Sequence, residues 1–239
     1  MFFNQILRST FFYFGYLGSA LLAGLFASTI GLFLPLKVRL KVFSLWPRFA
    51  NWLLSKTCNI QFVVEGIENI PKEGCVIVSN HQGQWETFSM QYIFFPLSTL
   101  LKKELLFIPF WGWGLSLLNP IAINRSKPKE AILKTLEEGS KRLNEGMFVL
   151  FFPEGTRVRA GEVGKYARSA FELAKRSSSF VLPVVHNSGD CWPAHKFLKT
   201  DGCIKLIIGE PVLVKNAKQQ ANIVEEWTKK NLKEIRRLN

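Results

Sequence analysis

CVIVSNHQGQWET, residues 75–87, joins a short apolar run to a cluster of polar and aromatic side chains. Cys75-Val76-Ile77-Val78 has no alternation of polar and apolar residues, so it predicts a strand over 75–79 that is covered on both faces. His81 follows at once, and Glu86 comes five residues later. In an ideal helix five residues turn the chain through about 500°, which leaves two side chains about 140° apart. His81 and Glu86 therefore meet only if the chain turns between them, and Gly83 makes that turn easy. By itself His81 also fits a place near a helix N-cap, after Ser79-Asn80. If the two do meet, a carboxylate on one imidazole nitrogen fixes the tautomer and raises basicity. The other nitrogen is then able to take a proton from a substrate hydroxyl.

The rest of the chain repeats the pattern of apolar strand, polar turn and helix. Residues 60–66 (IQFVVEG) read as a strand, and Ile70-Pro71-Lys72-Glu73-Gly74 as the turn before the strand at 75–79. Helices are predicted over 86–95, 128–143, 165–176 and about 217–238, and strands over 99–102, 147–152, 180–185 and 204–208. In the helix at 128–143 the apolar positions are 132, 133, 136 and 143; in the last helix they are Ile223, Trp227, Ile235 and Leu238. The remaining positions of the last helix are rich in Lys and Arg, suited to solvent or to anionic lipid. Alternating strands and helices with apolar strands predict an α/β fold: a mostly parallel sheet sandwiched by helices. In such sheets ligands sit beyond the carboxyl ends of the strands. Two stretches fall there, 79–87 and 153–157.

The second stretch is Phe152-Pro153-Glu154-Gly155-Thr156-Arg157, after the most apolar strand. Arg157 can grip a phosphate with two parallel hydrogen bonds. Glu154 can orient an arginine or a hydroxyl. The same residues also make an ordinary strand-end turn with a surface ion pair. A third stretch, Ile108-Pro109-Phe110-Trp111-Gly112-Trp113-Gly114, reads as a loop near an acyl chain or bilayer, or as core packing. It continues to Ile121-Ala122-Ile123-Asn124-Arg125, where Arg125 offers a second phosphate ligand after an apolar strand-like run. Lys102, Lys103 and Lys165 add positive charge there or simply face solvent.

Length and composition bound the partners. The chain has 239 residues and a net charge of +13. That length suits one sizeable domain. That charge favours anionic partners such as phospholipid headgroups, phosphorylated substrates or nucleic acid. Twenty-eight residues between Arg8 and Lys37 carry no charge. They run directly into the basic Lys37-Val38-Arg39-Leu40-Lys41, without the polar cleavage region of a signal peptide. They are read as retained membrane structure, either a spanning helix or, given Gly15, Gly18, Gly24 and Gly31, a hairpin in one leaflet. The basic flank places the rest of the chain on the cytoplasmic side. Residues 42–57 suit an amphipathic helix at the membrane surface or one packed on the core. The expected division is a membrane segment over 1–57 and a catalytic domain over 58–239. A nucleic-acid binder would not need the uncharged N-terminal run, and no nucleic-acid motif is present. The four cysteines show no C-x-x-C pair, and His81, His186 and His195 have no metal-ligand spacing, so no metal is expected. No G-x-S-x-G serine motif occurs. A base with no protein nucleophile points to direct attack by a substrate hydroxyl.

Together these stretches resemble the glycerolipid acyltransferases, closest to the bacterial 1-acylglycerol-3-phosphate acyltransferases. NHQGQWE resembles their NHxxxxD motif. IPFWGWGLSLLNPIAINRS resembles the second motif, FPEGTR matches the third, and KYARSAFELAKRSSSFVLPVV resembles the lysine-containing helix and fourth motif. The similarity runs from about 60 to 210. It implies an α/β sandwich whose site faces the membrane. It implies transfer of an acyl chain from acyl-CoA or an acyl carrier protein thioester to the sn-2 hydroxyl of lysophosphatidate, giving phosphatidate, with no bound cofactor. His81 would be the general base and Glu86 would stand where the family has aspartate. Arg125 and Arg157 would hold the phosphate, Glu154, Gly155 and Thr156 would shape the pocket, and Lys165 would add a substrate contact. The implied location is the cytoplasmic face of a bacterial inner membrane, among membrane phospholipids, with acyl carrier protein as partner where it is the donor. Another lysolipid acceptor, such as a lysophospholipid or lyso-ornithine lipid, fits the same motifs. So does a catalytically silent lipid-binding protein, although retention of His81, Glu86 and the whole FPEGTR turn argues against it. Glutamate at 86 adds one methylene to the family's aspartate and puts the geometry of the pair in question.

Overall fold

The computed structural model describes residues 2–238, with the side chain of Leu238 outside the described part. In chain order the elements are α1 (Phe2–Thr29), α2 (Leu36–Phe43), α3 (Leu45–Cys58), β1 (Ile60–Glu65), β2 (Val76–Ser79), α4 (Trp85–Ile93), β3 (Leu97–Lys102), α5 (Trp111–Ser116) and β4 (Ile121–Ile123). Then come α6 (Pro128–Asn144), β5 (Phe148–Phe151), α7 (Ser169–Arg176), β6 (Phe180–His186), α8 (Ser188–Cys191), β7 (Gly202–Ile208), β8 (Val212–Leu213) and α9 (Ala217–Leu238).

The strands form one sheet in the order β1-β7-β6-β2-β5-β3-β4, with β8 paired to β6. All pairings are parallel except β6 with β7 and β6 with β8. The expected mostly parallel sheet is therefore present. Pro183 falls where β6 changes partner. Its register neighbours face β8 at Phe180 and Val181 and face β7 from Val184 onward. Its own carbonyl takes the Gly209 N–H across that gap, so the missing proline N–H breaks no ladder bond.

The continuous apolar runs reflect covering on both faces. Ile77, Leu150, Leu182 and Val184 point to one cluster, together with residues of α1, α3 and α4. Val76, Val78, Val149, Phe151 and Val181 point to the other, against α7 and α9. Phe12, Ala50 and Leu54 share the first cluster, so helices from the N-terminal segment close one face of the sheet.

Helix α1 lies along the body of the protein. Gln5 donates to the Lys199 carbonyl at 3.0 Å, and Ser9 accepts the Lys199 N–H at 3.0 Å. Phe12 meets Trp192 edge-on at 5.0 Å. At its far end, a side chain on Gly24 would stand 2.9 Å from the Phe110 backbone, and one on Gly114 would stand 3.0 Å from Ala27. This close approach explains why 108–114 is not a loop throughout: Trp111–Ser116 forms α5, which packs glycine-first on α1. The opposite side of α1 exposes Phe2, Phe3, Phe11, Phe14 and Leu22. The segment Phe2–Phe33 is long and apolar enough to cross a membrane.

Three expectations shift. The helix predicted from residue 165 begins at Ser169, so Lys165 stands in the preceding loop. Ile132 and Leu133 of α6 are exposed; the buried residues are Thr135, Gly139 and Arg142. Gly139 lets Leu173 of α7 come closer than a larger residue would, so packing selects the small face. In α9, Ile223 is exposed, and Ala217, Ala221, Val224, Leu232 and Ile235 are buried.

Candidate active site

Strand β2 ends at Ser79, and residues 80–84 turn before α4 begins. Asn80 fastens the start of that turn. Its amide donates to the His186 carbonyl at 2.9 Å and its oxygen accepts the His186 N–H at 3.0 Å. Gly83 forms an isolated bridge with Pro193. A Cβ there would stand 2.4 Å from the Trp192 carbonyl oxygen, so only glycine allows the approach. The turn brings His81 Nδ1 to 2.9 Å from Glu86 Oε1. The two side chains that a straight helix would separate are thus paired.

Glu86 is fully buried, and both its oxygens are engaged. Oε1 also accepts the N–H groups of Gln82 at 2.8 Å and Gly83 at 2.7 Å. Oε2 accepts the Ser188 hydroxyl at 2.7 Å. Burial alone would raise its pKa, but the His186 and His81 imidazoles and the Gly83 amide overcome it, leaving the carboxyl well below its ordinary range. An ionised carboxylate only accepts, so His81 Nδ1 carries the proton toward it. Nε2 is left as the nitrogen available to a substrate. The ring lies flat on Phe152, with centroids 4.1 Å apart and planes 16° apart, which fixes its orientation.

The FPEGTR turn meets the same loop. Glu154 Oε2 accepts the His81 N–H at 2.7 Å, and Oε1 accepts the Gly164 N–H at 2.9 Å. Val158 donates its N–H to the His81 carbonyl at 2.8 Å. Glu154 therefore ties the two motifs together through backbone. Burial pushes its pKa up to about 7, against the two amide donors. Arg125 joins from the end of β4, its Nη1 donating to the Gly155 carbonyl at 2.7 Å. Gly155 and Thr156 are exposed on the turn. Arg157 points back toward α1. Its Nε is buried and has no hydrogen-bond partner among the described residues. It lines a cavity of about 290 Å³ with Tyr13, Gln84, Trp192, His195 and Lys196. Lys165 is exposed, and its charge acts on Glu225 of α9.

Two members of the site, Ser188 and His186, were not singled out from the sequence. With Asn80 they are fully buried within it. His186 Nε2 donates to the Asn80 carbonyl at 2.9 Å, and its Nδ1 accepts the Ser188 N–H at 3.3 Å. Burial lowers its pKa against the pull of Glu86, and with both ring nitrogens held by backbone its role is structural. Among the described residues no group of three or more His, Cys, Asp or Glu is placed to hold a metal.

Residues 61–187 match the family model described as Acyltransferase. The 1-acyl-sn-glycerol-3-phosphate acyltransferase of Pseudomonas aeruginosa is 40% identical over 240 residues, covering 97% of this chain and 92% of that protein. The chain belongs to the acyltransferase family. The 1-acyl-sn-glycerol-3-phosphate acyltransferase of Saccharomyces cerevisiae is 32% identical over 158 residues, 64% of this chain and 52% of its own. The crystal structure of the 1-acyl-sn-glycerophosphate (LPA) acyltransferase PlsC from Thermotoga maritima superposes with a TM-score of 0.83 at 26% identity, over 98% of this chain and 97% of that one. Within this acyltransferase every site residue expected from the sequence lies inside the matched span. Ser188, His195 and Lys196 lie beyond it.

Proposed function

We propose that this acyltransferase moves an acyl chain from a thioester to the sn-2 hydroxyl of 1-acylglycerol-3-phosphate, giving phosphatidate. The observation that carries the mechanism is the buried pairing of His81 with Glu86 at the carboxyl end of β2. Nε2 of His81 takes the proton from the acceptor hydroxyl as its oxygen attacks the thioester carbonyl. The C–O bond forms, the carbonyl π pair moves onto its oxygen, and collapse of the tetrahedral intermediate breaks the C–S bond. His81 returns the proton to the departing thiolate. Glu86 stabilises the transient imidazolium by its charge at Nδ1. No protein acyl intermediate is required.

Arg157 supports an anionic acceptor. It lines a cavity beside the His81 loop, where a phosphate would meet its guanidinium, and its buried Nε has no partner among the described residues. Lys196 adds charge to the same cavity. Arg125 then serves the phosphate with its remaining N–H groups while holding the Gly155 turn. Glu154 acts through backbone by setting the His81 loop, and Gly155 and Thr156 shape the rim. Lys165 is left as a weak long-range charge. The donor is acyl-CoA or an acyl carrier protein thioester.

The docking of α1 along its length, with its other face apolar, supports insertion into one leaflet over perpendicular spanning. In that arrangement residues 1–57 anchor the catalytic part to the cytoplasmic face of a bacterial inner membrane. The test is acyl transfer by purified protein in mixed micelles, across lysophosphatidate and phosphate-free lysolipids. Lysophosphatidate should be strongly preferred; equal use of a phosphate-free acceptor would defeat the assignment. A His81→Ala variant should remain membrane-bound and inactive.

A further inference from the structure

We infer that Ser188 is a positioning residue for the acyl-transfer reaction, the third member of a chain running Ser188–Glu86–His81. The inference rests on the general-base role proposed for His81. Ser188 opens α8, just beyond the carboxyl end of β6, and lies 102 residues from Glu86 in sequence. Both side chains are fully buried. The Ser188 hydroxyl donates to Glu86 Oε2 at 2.7 Å, and His81 Nδ1 donates to Oε1 at 2.9 Å. The two oxygens thus face opposite partners. Without the hydroxyl, the carboxylate is held at Oε1 alone, and Oε2 is left buried without a donor.

The glutamate makes this third partner matter. Its side chain has one more rotatable bond than aspartate, so more must hold it. The Gln82 and Gly83 N–H groups fix only Oε1. Ser188 fixes the other end. Ser188 is itself seated by its N–H, which donates to His186 Nδ1 at 3.3 Å, and the helix behind it closes through the Trp192 N–H on the Ser188 carbonyl at 2.8 Å. The titratable groups facing Glu86 are His81, His186 and Glu154, and none of them replaces a donor at Oε2.

The experiment compares Ser188→Ala and the near-isosteric Ser188→Cys with wild type, each checked for folding by thermal melting. Initial rates are followed over pH with lysophosphatidate and an acyl-CoA. Ser188→Ala should lower kcat about ten- to a hundredfold, leave KM for lysophosphatidate within about twofold, and move the acid limb of the kcat profile upward, because a carboxylate with one donor fewer holds a proton on the neighbouring imidazole more strongly. Ser188→Cys, with a weaker donor, should fall between the two. In a Glu86→Gln background the pH shift should vanish. A wild-type kcat with an unmoved acid limb in Ser188→Ala would overturn the inference, as would a loss confined to KM. If Ser188→Ala does not fold, Ser188→Cys decides: an intermediate rate with an upward shift supports the role, and wild-type behaviour overturns it. His81→Ala is run alongside. Full activity there would remove the general-base reading itself, whereas an inactive His81→Ala with a normal Ser188 series removes only this inference.

Discussion

Replacing Glu86 by Gln changes charge with almost no change of shape. The amide oxygen can keep the donors now on Oε1, from His81, Gln82 and Gly83. The amide nitrogen would stand at Oε2 and donate to the Ser188 oxygen, reversing a bond that is 2.7 Å long. What is lost is the anion beside the imidazolium that forms when His81 takes the acceptor's proton. With Nδ1 and Oε1 2.9 Å apart, the charge centres are on the order of 4 Å apart, and at an effective dielectric of about 20 their attraction is about 4 kcal/mol. That corresponds to a fall in kcat of about a thousandfold. KM for lysophosphatidate should change little, because the carboxylate is buried behind the histidine. Glu86→Asp keeps the charge but withdraws it by about one carbon–carbon bond, so Ser188 and His81 cannot both be met at full strength. A loss of about tenfold is expected there. The assay is thiol release from acyl-CoA, read with a thiol-reactive dye under saturating lysophosphatidate. A Gln variant within threefold of wild type, or an Asp variant slower than Gln, would refute the electrostatic role.

Arg157→Ala should raise KM for lysophosphatidate about ten- to a hundredfold with a smaller effect on kcat, as expected for removal of a charge-assisted phosphate contact; equal KM values by steady-state kinetics would place the phosphate elsewhere. Gly83→Ala should abolish activity and lower the melting temperature, since the new Cβ would stand 2.4 Å from the Trp192 carbonyl; an active, equally stable variant would show that the loop gives way. Glu154, raised from the ordinary 4.5 to about 7, contributes stability that is fully present below pH 4.5 and is lost as pH rises through 7. The upper bound is about 3 kcal/mol. Thermal melts between pH 5 and 8.5 should show that decline in wild type, and it should disappear in Glu154→Gln; identical slopes would contradict the shift.

Sequence showed the sheet because burial on two faces leaves runs such as Cys75–Val78 and Met147–Phe152 without polar positions. It showed less of the helices. Ile132, Leu133 and Ile223 are exposed, while Gly139, Thr135 and Ala221 are buried. Periodicity tracks large side chains, whereas close helix packing at Gly139 selects small ones. The α1–α5 contact escaped for the same reason: glycines at 24 and 114 carry no hydrophobic signal, yet they set the approach. A strand such as Val212–Leu213, two residues long, has no pattern to read.

At the site the legible residues are those joined by short spacing or local chemistry. His81 and Glu86 lie five apart, and Pro153 to Arg157 form one turn. Their partners come from the sheet's topology instead. Strand β6 lies beside β2, so its carboxyl end delivers His186 and Ser188 to the NHQGQWE loop from more than 100 residues away. A serine in VVHNSGD looks like any turn residue until that neighbour is known. The same topology answers the question raised by the extra methylene at position 86. A glutamate reaches His81 because the turn at Gly83 lets Gln82 and Gly83 donate to Oε1, and it does not swing away because Ser188 holds Oε2. The carboxylate is placed by a tight turn on one side and a neighbouring strand on the other, so side-chain length at position 86 cannot be exchanged without adjusting both.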